Sequence, residues 1–236
     1  MTTHSNYWNN PSGKIRTTTC CAAFASGAIR KPRLSRKTNR GGSCLALLCG
    51  MLLAGCAARQ TIQLPEMDDW STRSAVLGRA ENFEFSGRIA VSAGEDGFNG
   101  KIRWLQEGDT FKATVGGPLG IGTVRIEGDG RAIVHTDKDG VRTVLEDAEQ
   151  ELLYRYGWTI PVRSMRFWAL GLPDPTAPAQ TELNSEQQLA KLIQRNWTVQ
   201  ISRYRVSSGQ SMPNLLSASS AETRMRIVFD KWSFFD

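Results

Sequence analysis

The chain has 236 residues, 22% charged and 40% hydrophobic, with a formal net charge of +6, a length that suits one sizeable domain once any leader is set aside. The positive charge belongs to the beginning: residues 1–55 hold eight Lys or Arg and no Asp or Glu, and the remainder carries 21 basic against 23 acidic residues. That balance removes the main support for a nucleic-acid role. The five cysteines also lie early, from Cys20 to Cys56, so nothing after Cys56 can form a disulfide or a thiolate metal site.

In chain order, the basic stretch "RKPRLSRKTNR" (30–40) precedes an apolar run of 11 residues from Cys44 to Ala54. A helix needs about 20 residues to span a bilayer, but a run this short suits a secretory signal. Leu53-Ala54-Gly55-Cys56 matches the bacterial lipobox, in which small residues precede a cysteine that receives diacylglycerol. Residues 1–55 are therefore expected to be a leader with a lipoprotein signal peptide, and Cys56 the lipidated first residue of the mature chain. A start at Leu34 would give a leader of ordinary length and leave 1–33 untranslated. Several acyl chains hold a protein at a membrane where one holds it only marginally, and Ala57, with no Asp at that position, fits outer-membrane sorting.

Residues 56–80 are expected to begin as a tether and to become helical from about Asp69 to Ala80, with Asp69 or Ser71 as the N-cap. From 81 to 236 the pattern is that of one domain. "FEFSGRIAVS" (83–92) alternates, placing Phe85, Gly87, Ile89 and Val91 on one face. Phe98, Ile102 and Trp104 continue the rhythm. They are followed by Phe111, Ala113 and Val115, by Val124 and Ile126, by Ala132 and Val134, and by Val141 and Leu145. The joints "AGEDG", "EGD", "GDG" and "KDG" are hairpin signals, so these segments read as a six-stranded antiparallel meander.

The period then changes. "LEDAEQELLYRYG" (145–157) carries Ala148, Leu152, Leu153 and Tyr156 at helical spacing, with Asp147 and Glu149 early and Gly157 as the stop. A second short helix is predicted over Val162–Leu170, entered after Pro161 and ended by Gly171. Strands resume in 188–205, broken by a turn at "QRN", and in 223–234, where Met225, Ile227 and Phe229 share a face. The expected fold is mainly β with α, one antiparallel sheet with two helices over its concave face and an apolar space between.

Chemistry is sparse. His135, the single histidine after residue 55, is placed on the face opposite Ala132 and Val134 and reads as a surface or edge residue rather than a general base. No acidic cluster has metal-ligand spacing, and "GGPLGIG" lacks the features of a phosphate or dinucleotide loop. No catalytic residue, metal or cofactor is expected. Candidate cavity-lining residues are Phe85, Ile89, Ile102, Trp104, Val115, Leu153 and Trp168, for which a solid core is the competing reading. The turn "VGGPLGIG" (115–122) sets a large apolar residue, Leu119, where turns usually present polar ones.

"FEFSGRIAV", Trp104, "GPLG" before "TVRIEG", "GWTIPV" followed by "WALGLP", "LAKLIQRNWTVQISRY" and "RIVFDKW" together resemble the LolB family of outer-membrane lipoprotein receptors, over about Phe83 to Trp232. "MPNLLSA" (212–218) departs from the alternation expected of the penultimate strand. The resemblance implies an open, unclosed β-barrel with helices covering the cavity. It also implies a monomeric protein on the periplasmic face of the outer membrane, anchored through Cys56. It would take acylated lipoprotein cargo from a soluble LolA-like periplasmic carrier and insert it into outer-membrane lipid. By the same resemblance Pro118, Leu119 and Gly120 form a projecting membrane-insertion loop whose leucine serves cargo release. The alternative is a structural or assembly lipoprotein of the envelope that binds a protein partner through its sheet.

Overall fold

The computed structural model describes residues 59–117, 123–129 and 132–236. Cys56 and the loop residues Pro118, Leu119 and Gly120 lie outside the described residues. The described chain opens with β1 (Thr61–Ile62) and α1 (Trp70–Gly78). The meander follows: β2 (Asn82–Ala93), β3 (Asp96–Glu107), β4 (Thr110–Gly116), β5 (Val124–Gly128), β6 (Ile133–Thr136) and β7 (Arg142–Leu145). After α2 (Ala148–Tyr156) and α3 (Val162–Leu170), the strands resume as β8 (Gln180–Leu183), β9 (Leu189–Gln194), β10 (Trp197–Ser207), β11 (Gln210–Ser219) and β12 (Arg224–Phe235).

All the strands belong to one antiparallel sheet, ordered β7-β6-β5-β4-β3-β2-β12-β11-β10-β9-β8, with β1 paired to β12. The chain thus lays down one half of the sheet outward from β2, crosses by the two helices, and returns inward to β12. Strands β7 and β8 end the row without pairing to each other, so the sheet is open.

The seam between the halves joins the two long strands β2 and β12. Their register sets Phe85 against Trp232, Ile89 against Ile227 and Val91 against Met225, all on the buried face. Gly87 sits opposite Phe229, and a Cβ there would collide with the Val228 carbonyl oxygen, so only glycine allows this approach. A register shift follows between Phe229 and Lys231 and bends the strand.

The helices end where their sequences say they should. The Asp69 carboxylate accepts from the Thr72 N–H at 2.9 Å, and Asp147 accepts from Gln150 N–H at 3.1 Å, each capping free N–H groups of the first turn. Gly157 and Gly171 close α2 and α3 in the left-handed conformation, at φ 71° and 77°. The "QRN" turn is a two-residue hairpin in which Arg195 and Asn196 both have positive φ, 50° and 64°, as a primed turn matching strand twist requires.

Four segments differ from the sequence expectation. In β6 the inward residues are Ile133 and His135, not Ala132 and Val134, because Ile126 pairs with His135 and Gly128 with Ile133, which places them on the face of Ile126. His135 is therefore no surface residue: it is 1% exposed and lies 2.6 Å from the Tyr156 hydroxyl through Nε2. Val141, expected inward, is 59% exposed. Strand β8 has no apolar period to announce it. Strand β11 is fully formed although its residues Met212 to Leu216 are all buried. Its polar and proline positions are satisfied without alternation: Asn214 Nδ2 donates to the Phe229 carbonyl at 2.8 Å, and the Pro213 carbonyl accepts from Trp232 Nε1 at 3.0 Å.

One core runs from Leu64 to Phe234 and includes Met67 and Leu77 beside the sheet residues. Residues 57–236 are thus one compact unit with its own core, and β1 and α1 belong to it rather than to a separate tether.

Candidate functional site

The concave face is built from aromatic rings delivered by alternation. Phe85 is the hub: its ring stacks on Trp104 at 6.0 Å and meets the edge or tilted faces of Phe229 and Trp232 at 5.0 Å each. Trp104 stacks in turn on Phe111 at 4.6 Å, and its indole N–H donates to Gln106 at 3.2 Å. Of the expected lining residues, Phe85, Ile89, Ile102, Trp104, Val115 and Trp168 are all buried in the core, whereas Leu153 on α2 is partly exposed.

Helix α3 covers part of this face and is pinned by polar side chains. Met165, Trp168 and Ala169 are fully buried beneath it. Gln194, at the end of β9, accepts from Trp168 Nε1 and from the Asp174 N–H, both at 2.9 Å, and donates to the carbonyls of Asp174 at 2.7 Å and Ala177 at 2.8 Å. One buried amide thereby satisfies four groups and ties the "WALGLPDP" segment to the sheet. Asp174 receives Ser164 Oγ at 2.9 Å, the Thr176 N–H and hydroxyl, and Arg195 Nε at 3.1 Å. Burial pushes its carboxyl up, but the Thr176 and Ser164 hydrogen bonds and the Arg195 charge outweigh that and hold it below the ordinary value.

Between α3 and the β3–β6 part of the sheet lies a pocket of about 420 Å³. Its apolar lining is Trp104, Phe111, Ile133, Val162 and Phe167; its charged lining is Arg163, Arg166, Arg195 and the carboxylates Asp109, Asp129 and Asp174. The volume falls within the range of about 300–1,000 Å³ common for small-molecule sites, and an apolar floor with a few polar groups is their usual composition. Such a pocket has the volume to take an apolar chain against its aromatic lining. Among the described residues no His, Cys, Asp and Glu grouping could hold a metal ion.

Trp104 alone of the expected lining residues reaches this pocket. Phe111 was legible as an inward residue. Ile133 was assigned to the other face, and Phe167 and the three arginines come into place only through the packing of α3 across the sheet.

The sequence comparison now bears on the site. The family model described as outer membrane lipoprotein LolB matches residues 81–232, which run from the start of β2 to within β12 and contain the pocket and its helix. The chain belongs to the LolB family. Relatives named outer-membrane lipoprotein LolB include that of Nitrosococcus oceani, 30% identical over 80% of this chain and 95% of that protein. Another, from Francisella tularensis, is 28% identical over 80% of this chain and 92% of that one. Among solved structures, a LolA superfamily protein from Nitrosomonas europaea matches 67% of this chain and 88% of its own at 11% identity, with a TM-score of 0.48. As a LolB-family member the chain is an outer-membrane lipoprotein. The family match begins after β1 and α1, which complete the same core.

Proposed function

We propose that this protein receives the acyl chains of lipoproteins from a soluble periplasmic carrier and passes them into the outer membrane. The observation that carries the reading is the LolB-family match over the residues that form the concave sheet and its pocket beneath α3. The chemistry is non-covalent and needs no catalytic residue, metal or cofactor. Exposing each methylene of an acyl chain to water costs about 0.8 kcal/mol, so the chains are best moved from one apolar surface directly to another. Here the pocket offers such a surface at Trp104, Phe111 and Phe167, while Phe85, Ile89, Ile102, Val115 and Trp168 lie buried outside it. Longer chains are accommodated by lifting α3 with Leu153 and its helix at the margin, since the space lies directly under α3.

In this reading Cys56 carries the anchor, and the Pro118-Leu119-Gly120 loop enters the bilayer during release. A leucine side chain gains about 1.5–3 kcal/mol on leaving water, enough to position a loop and far too little to hold a protein. The test is transfer from loaded carrier to the unlipidated chain, 57–236, and then to vesicles. Wild type takes cargo and delivers it, whereas Leu119→Glu takes cargo and loses delivery. A wild-type chain that takes no cargo sinks the proposal, and undiminished delivery by Leu119→Glu removes the loop from it.

A further inference from the structure

The opposite, convex face of the sheet is basic although the protein beyond residue 55 is not. Strands β2, β3, β10, β11 and β12 point eight Lys or Arg outward or away from the core against four carboxylates, Glu84, Asp96, Glu107 and Asp230. The rest of residues 56–236 therefore holds thirteen basic against nineteen acidic residues, so the positive charge is segregated rather than merely abundant. Arg88 pairs with Asp230 at 3.1 Å and Arg103 with Glu84 at 2.7 Å. Lys101, Arg203, Arg224 and Arg226 are exposed and have no carboxylate partner among the described residues.

The register aligns these charges. Arg203, Leu215, Val228, Arg88 and Lys101 stand side by side on successive strands, and at about 4.8 Å per strand the row spans about 19 Å. Arg88 and Lys101 face each other directly, a like-charge pairing that destabilises a sheet. Beside the row, Arg224 and Arg226 line a groove of about 710 Å³ that also holds Glu95 and Asp96 at its β2–β3 turn end, its remaining walls being mostly small or polar, among them Ala90, Gln200 and Ser217. A second groove of about 480 Å³, lined by Arg88, Lys101 and Arg103, reaches Gly117 and Thr123, the described residues that flank the Leu119 loop.

We infer that this face lies against an anionic phospholipid surface. The charge is complementary to headgroup phosphates, and the second groove makes the basic face continuous with the base of the loop. The reach of the anchor is also limited: four residues lie between Cys56 and Thr61, which pairs with Phe235 of β12, and full extension over those five steps is about 18 Å. A protein partner would call for a central aromatic or aliphatic anchor. On these strands Val206, near the end of β10, is the one large apolar side chain that is mostly exposed.

The inference rests on the outer-membrane location and not on cargo handling. Its test is sedimentation of the unlipidated 57–236 chain, which holds the whole core, with vesicles of phosphatidylcholine alone or with about one third phosphatidylglycerol. Binding to the anionic vesicles is expected to be at least tenfold tighter and to be abolished near 1 M salt, where the Debye length is about 3 Å. Replacing Lys101, Arg203 and Arg226 together by Gln is expected to weaken it roughly a hundredfold, about fivefold for each charge near an anionic surface. The same charge loss elsewhere, Arg79→Gln with Lys138→Gln and Arg155→Gln, should leave it within twofold. Equal binding to both vesicles, or equal loss from both triple variants, overturns the inference. Uptake from carrier lost in the first triple while anionic vesicle binding persists also overturns it and assigns the face to the carrier. A wild-type chain that binds anionic vesicles yet takes no cargo supports it and sinks only the transfer reading.

Discussion

The centre of the sheet and its β7 end are built to different standards. At the seam, β2 and β12 pair over ten residue positions and bury a continuous cluster of Phe83, Phe85, Trp104, Phe229, Trp232 and Phe234. At the β7 end, β6 and β7 are four residues each, their outer residue Val144 is 64% exposed, and α2 beside them buries only Ala148 and Leu152. A rigid spine with a thinner margin places whatever motion the pocket needs at α2, α3 and the outer strands, because opening free energies follow the density of buried apolar contacts.

The sharpest way to break this contrast is to compare truncations in the two regions. Phe85→Ala should cost about 3–5 kcal/mol, the range for a large aromatic removed from a core that cannot collapse, whereas Leu153→Ala should cost under about 1 kcal/mol because that side chain is already partly in water. Urea unfolding of the two variants measures both, and similar losses would abolish the distinction. A smaller effect tests how α3 is held. Gln194→Ala leaves the Trp168 indole N–H and the Asp174 N–H without their partner and should cost about 2–3 kcal/mol, while amide exchange in 162–177 speeds up more than in β2 and β12. Uniform acceleration would mean that α3 is no separate unit.

The gentlest probe is proton concentration. Burial, followed by the nearby Arg155 charge, holds the His135 pKa below its ordinary value of 6.5, against the weaker pull of Asp137 and Glu151. The unfolded chain then takes up a proton at about pH 6.5 that the folded chain resists, so stability is full above that pH and declines as pH falls below it. Unfolding measured at pH 7.5 and 5.5 should show the decline in wild type and lose most of it in His135→Gln; an unchanged slope would place its origin elsewhere. Asp174, whose pKa is depressed, acts lower: its stabilisation is present above its ordinary value of 3.8 and is lost as pH falls through and beneath it.

The seam was legible in the sequence and the margin was not, for one physical reason. In "FEFSGRIAVS" the side chain period, the polarity and the burial agree, so alternation fixes both strand and face. In "RAIVHTD" they conflict: a polar histidine points inward with its Nε2 against the Tyr156 hydroxyl, and Val134 is left half-buried on the outer face, so polarity indicates the wrong register. Strand β8 lies at an edge and buries none of its four residues fully, which leaves no period to read. The helix caps Asp69, Asp147, Gly157 and Gly171 were visible because they act locally. Phe167 and the arginines around the pocket were not, because their meeting with Phe111 and Ile133 depends on how a helix crosses a sheet. The convex charge was in plain sight as Arg and Lys at alternate positions, but only the strand order shows that β10, β12, β2 and β3 line up their cations.

The placement of β12 also has a consequence for biogenesis. Arg88 and Asp230, partners across the seam, are 142 residues apart in the chain, and neither half of the sheet has its neighbour until that last strand arrives. Pairings this distant form slowly because loop-closure entropy comes before any contact energy. Until β12 arrives, the six-stranded N-terminal half therefore keeps the long edge of β2 open, the kind of unpaired edge that makes a folding intermediate prone to association.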